Sequence, residues 1–233
     1  MPKRGRAYLE AREKVNRDEE YPVDEAVQLV KDVSYANFEE TVECHVLLGV
    51  DPRHADEIVR GAMVLPHGTG QEVIVLAFAQ GDGARAAEEA GADFVGGEEL
   101  AEKIEDGWLE FDVAVATPDM MSVVGPLGRI LGPRGLMPNP KSGTVSVDIG
   151  SAIEEIKAGK VEYRTDREGN IHVAVGNITF TEEQLADNVK ALVEELVRNR
   201  PSGASGRYVL GVTLASTMGP GVKVEPSDVL PTM

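Results

Sequence analysis

The residues most suited to chemistry lie between Gly125 and Lys141, in GPLGRILGPRGLMPNPK. This stretch holds four Gly, four Pro and three basic residues. No Asp or Glu occurs in the 28 positions between Asp119 and Asp148, where the chain's average would place about five. Pro and Gly fix turns and withhold backbone donors, so the stretch reads as a shaped loop, neither helix nor strand. A long loop of this kind inside a compact chain is usually functional. Arg129, Arg134 and Lys141, with Asn139 among them, suit an anion, and phosphate above all.

A second candidate is Gly81-Asp82-Gly83-Ala84-Arg85-Ala86, which follows an apolar run and fits G-x-G-x-x-A. Glu98 and Glu99 stand 17 and 18 residues beyond Gly81, near where a ribose-binding acid belongs. That pattern defines the alternative reading, a nucleotide-dependent enzyme. Asp82 opposes it, because a pyrophosphate cradle should face the anion with N–H groups alone. The four histidines (His45, His54, His67, His172) form neither HExxH nor a Cys/His cluster, so no metal or other cofactor is expected. No nucleophile–base pair stands at a readable spacing, and no catalytic residue is expected.

The net charge is −17, with 40 acidic residues against 23 Lys and Arg. Such a surface argues against nucleic acid only when the charge is evenly spread. Here it is not. A second acid-free window, Leu196 to Val224, contains Arg198, Arg200, Arg207 and Lys223, and the N-terminus carries Lys3, Arg4, Arg6, Arg12, Lys14 and Arg17. The single cysteine, Cys44, excludes an internal disulfide and fits a reducing cytosol. No apolar run approaches bilayer-spanning length, and the basic N-terminus lacks an apolar signal core. The expectation is a cytoplasmic protein without a membrane partner.

The elements that must position these groups show in the periodicity. A basic amphipathic helix is expected over 3–15, and a second opening at Pro22. A strand from Thr41 to Val50 points Val42, Cys44, Val46 and Leu48 one way and Thr41, Glu43 and His45 the other. From Gln71 the texture changes to alternating strands and helices: strands at 72–79, 93–95 and 112–116, helices at 82–90 and 98–106, and a third capped by Thr117-Pro118. This predicts βαβ units and a parallel sheet. Ser151 to Glu154 reads as a capping box. Alternation then returns, with Val161, Tyr163, Ile171, Val173 and Val175 inward and Arg164, Asn170 and His172 outward. Thr181–Gln184 caps a long helix, and a last strand spans Gly206 to Met218, with Thr213 and Thr217 outward. The economical architecture is α/β: a discontinuous outer α+β domain (1–67 and 159–233) with a half-buried sheet, and an inserted doubly wound domain (68–158). Hinges are expected near Pro66–Gly70 and Ala158–Lys160. The outward polar residues, beside Phe38 and Gly219, would make a hydrogen-bonding sheet face with a stacking ring, as folded RNA requires.

At these residues the chain resembles the L-one family of large-subunit ribosomal proteins, the family of the mobile stalk beside the tRNA exit site. The resemblance runs through FEETVE (38–43), LGVDPR (48–53), VRG (59–61), LPHG (65–68), EAGAD (89–93) and GGEE (96–99). Its most specific segments are GRILGPRGLMPNPK (128–141) and STMGP (216–220). The N-terminal arm and His67-Gly68 are closest to the bacterial form. The resemblance implies a monomer when free, whose outer domain binds large-subunit rRNA, and whose insert meets further rRNA or exit-site tRNA through Arg129, Arg134, Asn139 and Lys141. It also implies repression of its own messenger. The RNA-binding set expected is Phe38, Thr41, Glu43, His45, Arg53, Arg164, His172, Thr213, Ser216, Thr217, Met218 and Gly219. Two features depart from the family: its members are usually basic, and many carry a basic residue where Asn37 stands. The acidic background resembles adaptation to a salty cytoplasm.

Overall fold

The computed structural model describes residues 5–54 and 56–231; Lys3 and Arg4 lie outside them. In chain order the elements are α1 (Arg6–Glu13), α2 (Val23–Asp32), β1 (Thr41–Leu48), β2 (Arg60–Val64), β3 (Val75–Phe78), α3 (Asp82–Glu89), β4 (Phe94–Gly96), α4 (Glu98–Glu105) and β5 (Val113–Ala116). There follow α5 (Met121–Val124), α6 (Gly128–Leu131), α7 (Ile149–Lys157), β6 (Lys160–Arg164), β7 (Asn170–Asn177), α8 (Glu182–Arg198), β8 (Val209–Ser216), β9 (Val222–Val224) and α9 (Pro226–Val229). The chain separates into two compact units, one formed by Met1–Gln71 with Val161–Met233 and the other by Glu72–Lys160. The fold class is the mixed α/β one that the periodicity implied.

In the first unit an antiparallel sheet of order β7-β1-β8-β9 packs one face on α2 and α8. The period-two pattern of β1 is the reason. Val42, Cys44, Val46 and Leu48 are buried against the α8 stripe of Leu185, Val189, Leu192, Val193 and Leu196, while Glu43 stays exposed. Thr181 caps α8 in the expected box, accepting from the Gln184 N–H while the Gln184 side chain accepts from the Thr181 N–H. Two connections differ from expectation. The strand expected to run to Met218 ends at Ser216, and a further strand, β9, follows at the sheet edge. The segment expected to bend, Pro66–Gly70, is fastened within this unit. His67 N–H donates to Asn188 Oδ1 at 3.0 Å, and Asn188 Nδ2 donates to the Gly68 carbonyl at 3.0 Å.

The second unit holds a parallel sheet of order β4-β3-β5. Every residue of β3 is buried, as a strand covered on both faces must be. Val75 and Ala77 pack on Ala87, Ile149, Ile153 and Ile156. Leu76 and Phe78 face the opposite layer of Leu100, Ile104, Leu127 and Leu131. Two local expectations are corrected here. Asp148, not Ser151, caps α7, accepting from the Ser151 N–H at 3.2 Å. Its acceptor lies one step before the helix, where an orphan donor needs it. The Gly/Pro stretch, expected as loop, is a run of short helical turns from Pro118 to Arg134. Pro126 and Pro133 occupy opening positions of 3₁₀ turns, where a missing N–H costs nothing. Leu127 and Leu131 anchor the run in the core.

Candidate nucleic-acid interface

At one end of the first unit's sheet, the chain entering β1 meets the chain leaving β8. Phe38 is 57% exposed and Met218 49% exposed, two large apolar side chains left in solvent. Between them runs a closed set of hydrogen bonds. Thr217 Oγ1 accepts from the Thr41 N–H at 3.0 Å and lies 3.3 Å from the Thr41 carbonyl, to which it donates. The Thr217 N–H donates to the same carbonyl at 3.0 Å. Thr41 Oγ1 accepts from Gln71 Nε2 at 3.1 Å, and Tyr35 Oη donates to the Met218 carbonyl at 2.9 Å.

Beneath this surface sits a residue absent from the expected site, Glu40. It is fully buried. Its Oε1 accepts from Ser34 Oγ at 2.5 Å, the Tyr35 N–H at 3.2 Å and the Ala36 N–H at 3.0 Å, and its Oε2 accepts from the Met218 N–H at 2.8 Å. One carboxylate thus holds the 34–38 segment to the 216–219 turn. Desolvation raises its pKa, but the hydrogen bonds more than offset this and hold it down at about 2. The sequence carried a signal for it: Glu40 is in phase with Val42, Cys44 and Val46, so an acid there had to be buried and satisfied.

Ser216 must be withdrawn as a direct contact. It is 4% exposed, in phase with buried Val212 and Leu214. Its hydroxyl sits close to the Glu40 carboxylate, without a partner in hydrogen-bond geometry. A Cβ on Gly219 would meet Ser216 Oγ at 2.5 Å, so any side chain there would have to displace the Ser216 hydroxyl.

The middle of the face is set by strand register. His172, His45, Thr213 and Lys223 form one row across β7, β1, β8 and β9. His45 Nδ1 lies 2.8 Å from His172 Nδ1. His172 Nε2 is 3.2 Å from Asp166 Oδ2, and His45 Nε2 is 3.7 Å from Glu43 Oε2. Burial lowers the His45 pKa, the His172 charge lowers it further, and Glu43 opposes both. Desolvation of Asp166 is outweighed by donors from Asn170, His172 and Glu168, so its carboxyl is held low. Arg53 and Arg164 do not join this row. Arg53 is exposed in the turn after β1, roughly 20 Å of strand from Thr41. Arg164 lines a shallow hollow with Pro52, Ile58 and Arg167.

In the second unit Arg129, Arg134 and Lys141 are exposed and take part in none of the ion pairs found among the described residues. Asn139 has a structural task within the protein. Its Oδ1 accepts from the Lys141 N–H at 2.9 Å, and its backbone N–H donates to Thr144 Oγ1 at 2.8 Å. It shapes the turn that presents Lys141. The Gly81–Ala86 segment opens α3 with Gly81 at φ 60°. A Cβ on Gly83 would meet Thr117 and Ala79 at ordinary van der Waals distance, so nothing in the fold demands glycine there. Asp82 is fully exposed in the first turn, with Arg85 at 4.0 Å. Among the described residues no group of three or more His, Cys, Asp or Glu could hold a metal ion, and no helix is long and apolar enough to cross a membrane.

The strand-end face, the basic turns, the whole second unit and most of the first fall within one family match, which covers residues 30–220 and is described as the Ribosomal protein L1p/L10e family. The chain belongs to that family, and its role is that of a structural protein of the large ribosomal subunit.

Proposed function

We propose that folded large-subunit rRNA docks on the β1–β8 strand ends, reading a ribose through Thr41 and Thr217. The supporting observation is the spare hydrogen-bonding capacity of these two hydroxyls. Thr217 Oγ1 already donates to the Thr41 carbonyl and accepts the Thr41 N–H, so it retains one acceptor site. Thr41 Oγ1 already accepts from Gln71, so its proton remains to donate. A group that donates to one and accepts from the other is a 2′-hydroxyl, the feature separating RNA from DNA. Phe38 supplies a face for an unstacked base, and Met218 an apolar flank. Glu43 cannot approach a phosphate, and its partner is a 2′-hydroxyl or a base amino group. The basic turns of the second unit take phosphates of further rRNA or of exit-site tRNA, and the same strand-end face serves repression of the protein's own messenger. No catalytic step is assigned.

The test is a pair of titrations with a large-subunit rRNA fragment and its all-deoxy counterpart. RNA should bind more tightly by at least tenfold, and Phe38→Ala should weaken the RNA complex by about 1–3 kcal/mol through lost stacking. Equal affinity for the two nucleic acids would overturn the assignment.

A further inference from the structure

The His45–His172 pair holds four ring nitrogens and three contacts. The inner contact joins the two Nδ1 atoms at 2.8 Å, a separation that needs one donor and one acceptor. The outer contacts set each Nε2 against a carboxylate, Asp166 at 3.2 Å and Glu43 at 3.7 Å. Two neutral imidazoles bring two N–H groups and satisfy two of the three contacts. The remaining ring nitrogen then turns a lone pair toward a lone pair. One added proton gives three N–H groups and one acceptor, so both hydrogen bonds are kept and the 3.7 Å contact with Glu43 becomes an ion pair. A second added proton sets two donors nose to nose at the inner contact. The geometry therefore has a capacity of one proton.

From this arrangement we infer that the pair is a one-proton site coupled to RNA docking: rRNA binding takes up a proton there, and affinity rises as pH falls. The inference rests on the docking face proposed above. The charges facing the pair are Glu43 on β1, Asp166 in the turn before β7, and Lys223 at the far end of the same row, with uncharged Thr213 between. Arg164 and Arg167 share a hollow with Asp166. Glu43 and Asp166, the carboxylates in contact with the rings, stand against Lys223 in the row. With the unprotonated pair these three sum to about −1, and with the protonated pair to about zero, Arg164 and Arg167 lying outside the count. A polyanion brought to this face favours the protonated form, and by linkage the protonated form favours the polyanion. Burial and mutual repulsion hold His45 below the ordinary histidine value in the free protein, which places the response on the acid side of neutrality. In an acidic protein this supplies positive charge only where and when RNA is present.

The experiment titrates the whole protein with large-subunit rRNA from pH 5.5 to 8.5 at one salt concentration. The double variant His45→Gln, His172→Gln is measured alongside, and calorimetry is run in two buffers of different ionisation enthalpy. The wild type should gain affinity as pH falls, approaching tenfold per unit across the titration, with uptake of up to one proton per complex. The variant should show a flat profile, since any slope it keeps belongs to the RNA. Wild-type binding with the same slope as the variant, or with heats that do not depend on buffer, would overturn the inference and leave the docking face standing. Absence of wild-type binding at every pH would bring down both. Should the variant unfold by thermal denaturation, the two-buffer measurement on the wild type decides alone.

Discussion

The two surfaces proposed to meet RNA are built on opposite plans. On the first unit the polar groups hold each other: Thr41 with Thr217 and Tyr35 with Met218 over a buried Glu40, and His45 with His172 farther along the sheet. On the second, Arg129 and Arg134 project from short turns anchored by apolar residues, Leu127 and Leu131 among them, and Lys141 projects from a turn shaped by Asn139 and Thr144. A preorganised hydrogen-bonding face fixes which partner fits, whereas free cations attract any phosphate. On the proposed function the strand-end face carries selectivity and most of the affinity, and the cations add a sequence-independent increment. Substitutions should separate them.

The largest effect is expected from Glu40→Gln. The amide keeps one acceptor oxygen but sets its own N–H₂ against donors already aimed at the carboxylate. Folding stability should fall by about 1–3 kcal/mol, with RNA affinity falling as the 34–38 and 216–219 segments separate. The wild type supplies a matching pH test. Glu40 is depressed from 4.5 to about 2 by folding, so its contribution is present above pH 4.5 and is lost as pH falls toward 2. Chemical denaturation of both proteins across that range checks this, because the variant should lack that part of the acid dependence.

Thr217→Val comes next. Removing the hydroxyl takes away the acceptor for the Thr41 N–H and a donor to the Thr41 carbonyl. That face is exposed and water can replace both, so folding should lose only about 1 kcal/mol. That loss comes from the bonds to Thr41, which the outward position of Thr217 does not by itself imply. RNA affinity should fall by about 1–3 kcal/mol. Urea denaturation and filter binding separate the two losses.

The smallest effect belongs to the cations. Replacing Arg129, Arg134 and Lys141 together by Ala should leave folding unchanged and weaken rRNA binding almost uniformly across sequences. The log–log salt slope should drop by about one for each phosphate no longer neutralised. A loss confined to particular RNA sequences would show that these side chains read bases.

Much of this was legible in the chain. The parity of Val42, Cys44 and Val46 fixed which way β1 faces, and Thr181–Gln184 marked the start of α8. The parity that exposed Thr213 and Thr217 also turns Ser216 inward, and the phase of Val42, Cys44 and Val46 buries Glu40; both inferences were available from spacing alone. The helical turns at 125–134 were hidden because Pro and Gly signal loops, yet Pro at the opening of each turn is compatible with helix. The His45–His172 contact was not legible. It joins residues 127 apart through strand register, and a one-residue slip of either strand would turn one of the rings to the other face.

The division of labour is tested most directly by removing one unit. A chain in which a short Gly/Ser linker replaces 72–160, shown by circular dichroism to fold, is titrated with large-subunit rRNA beside the whole protein. The strand-end face, the His45–His172 pair and Glu40 all remain, so the affinity should stay within about tenfold, or 1.4 kcal/mol, of the intact chain. A folded outer unit that no longer binds rRNA would contradict the account.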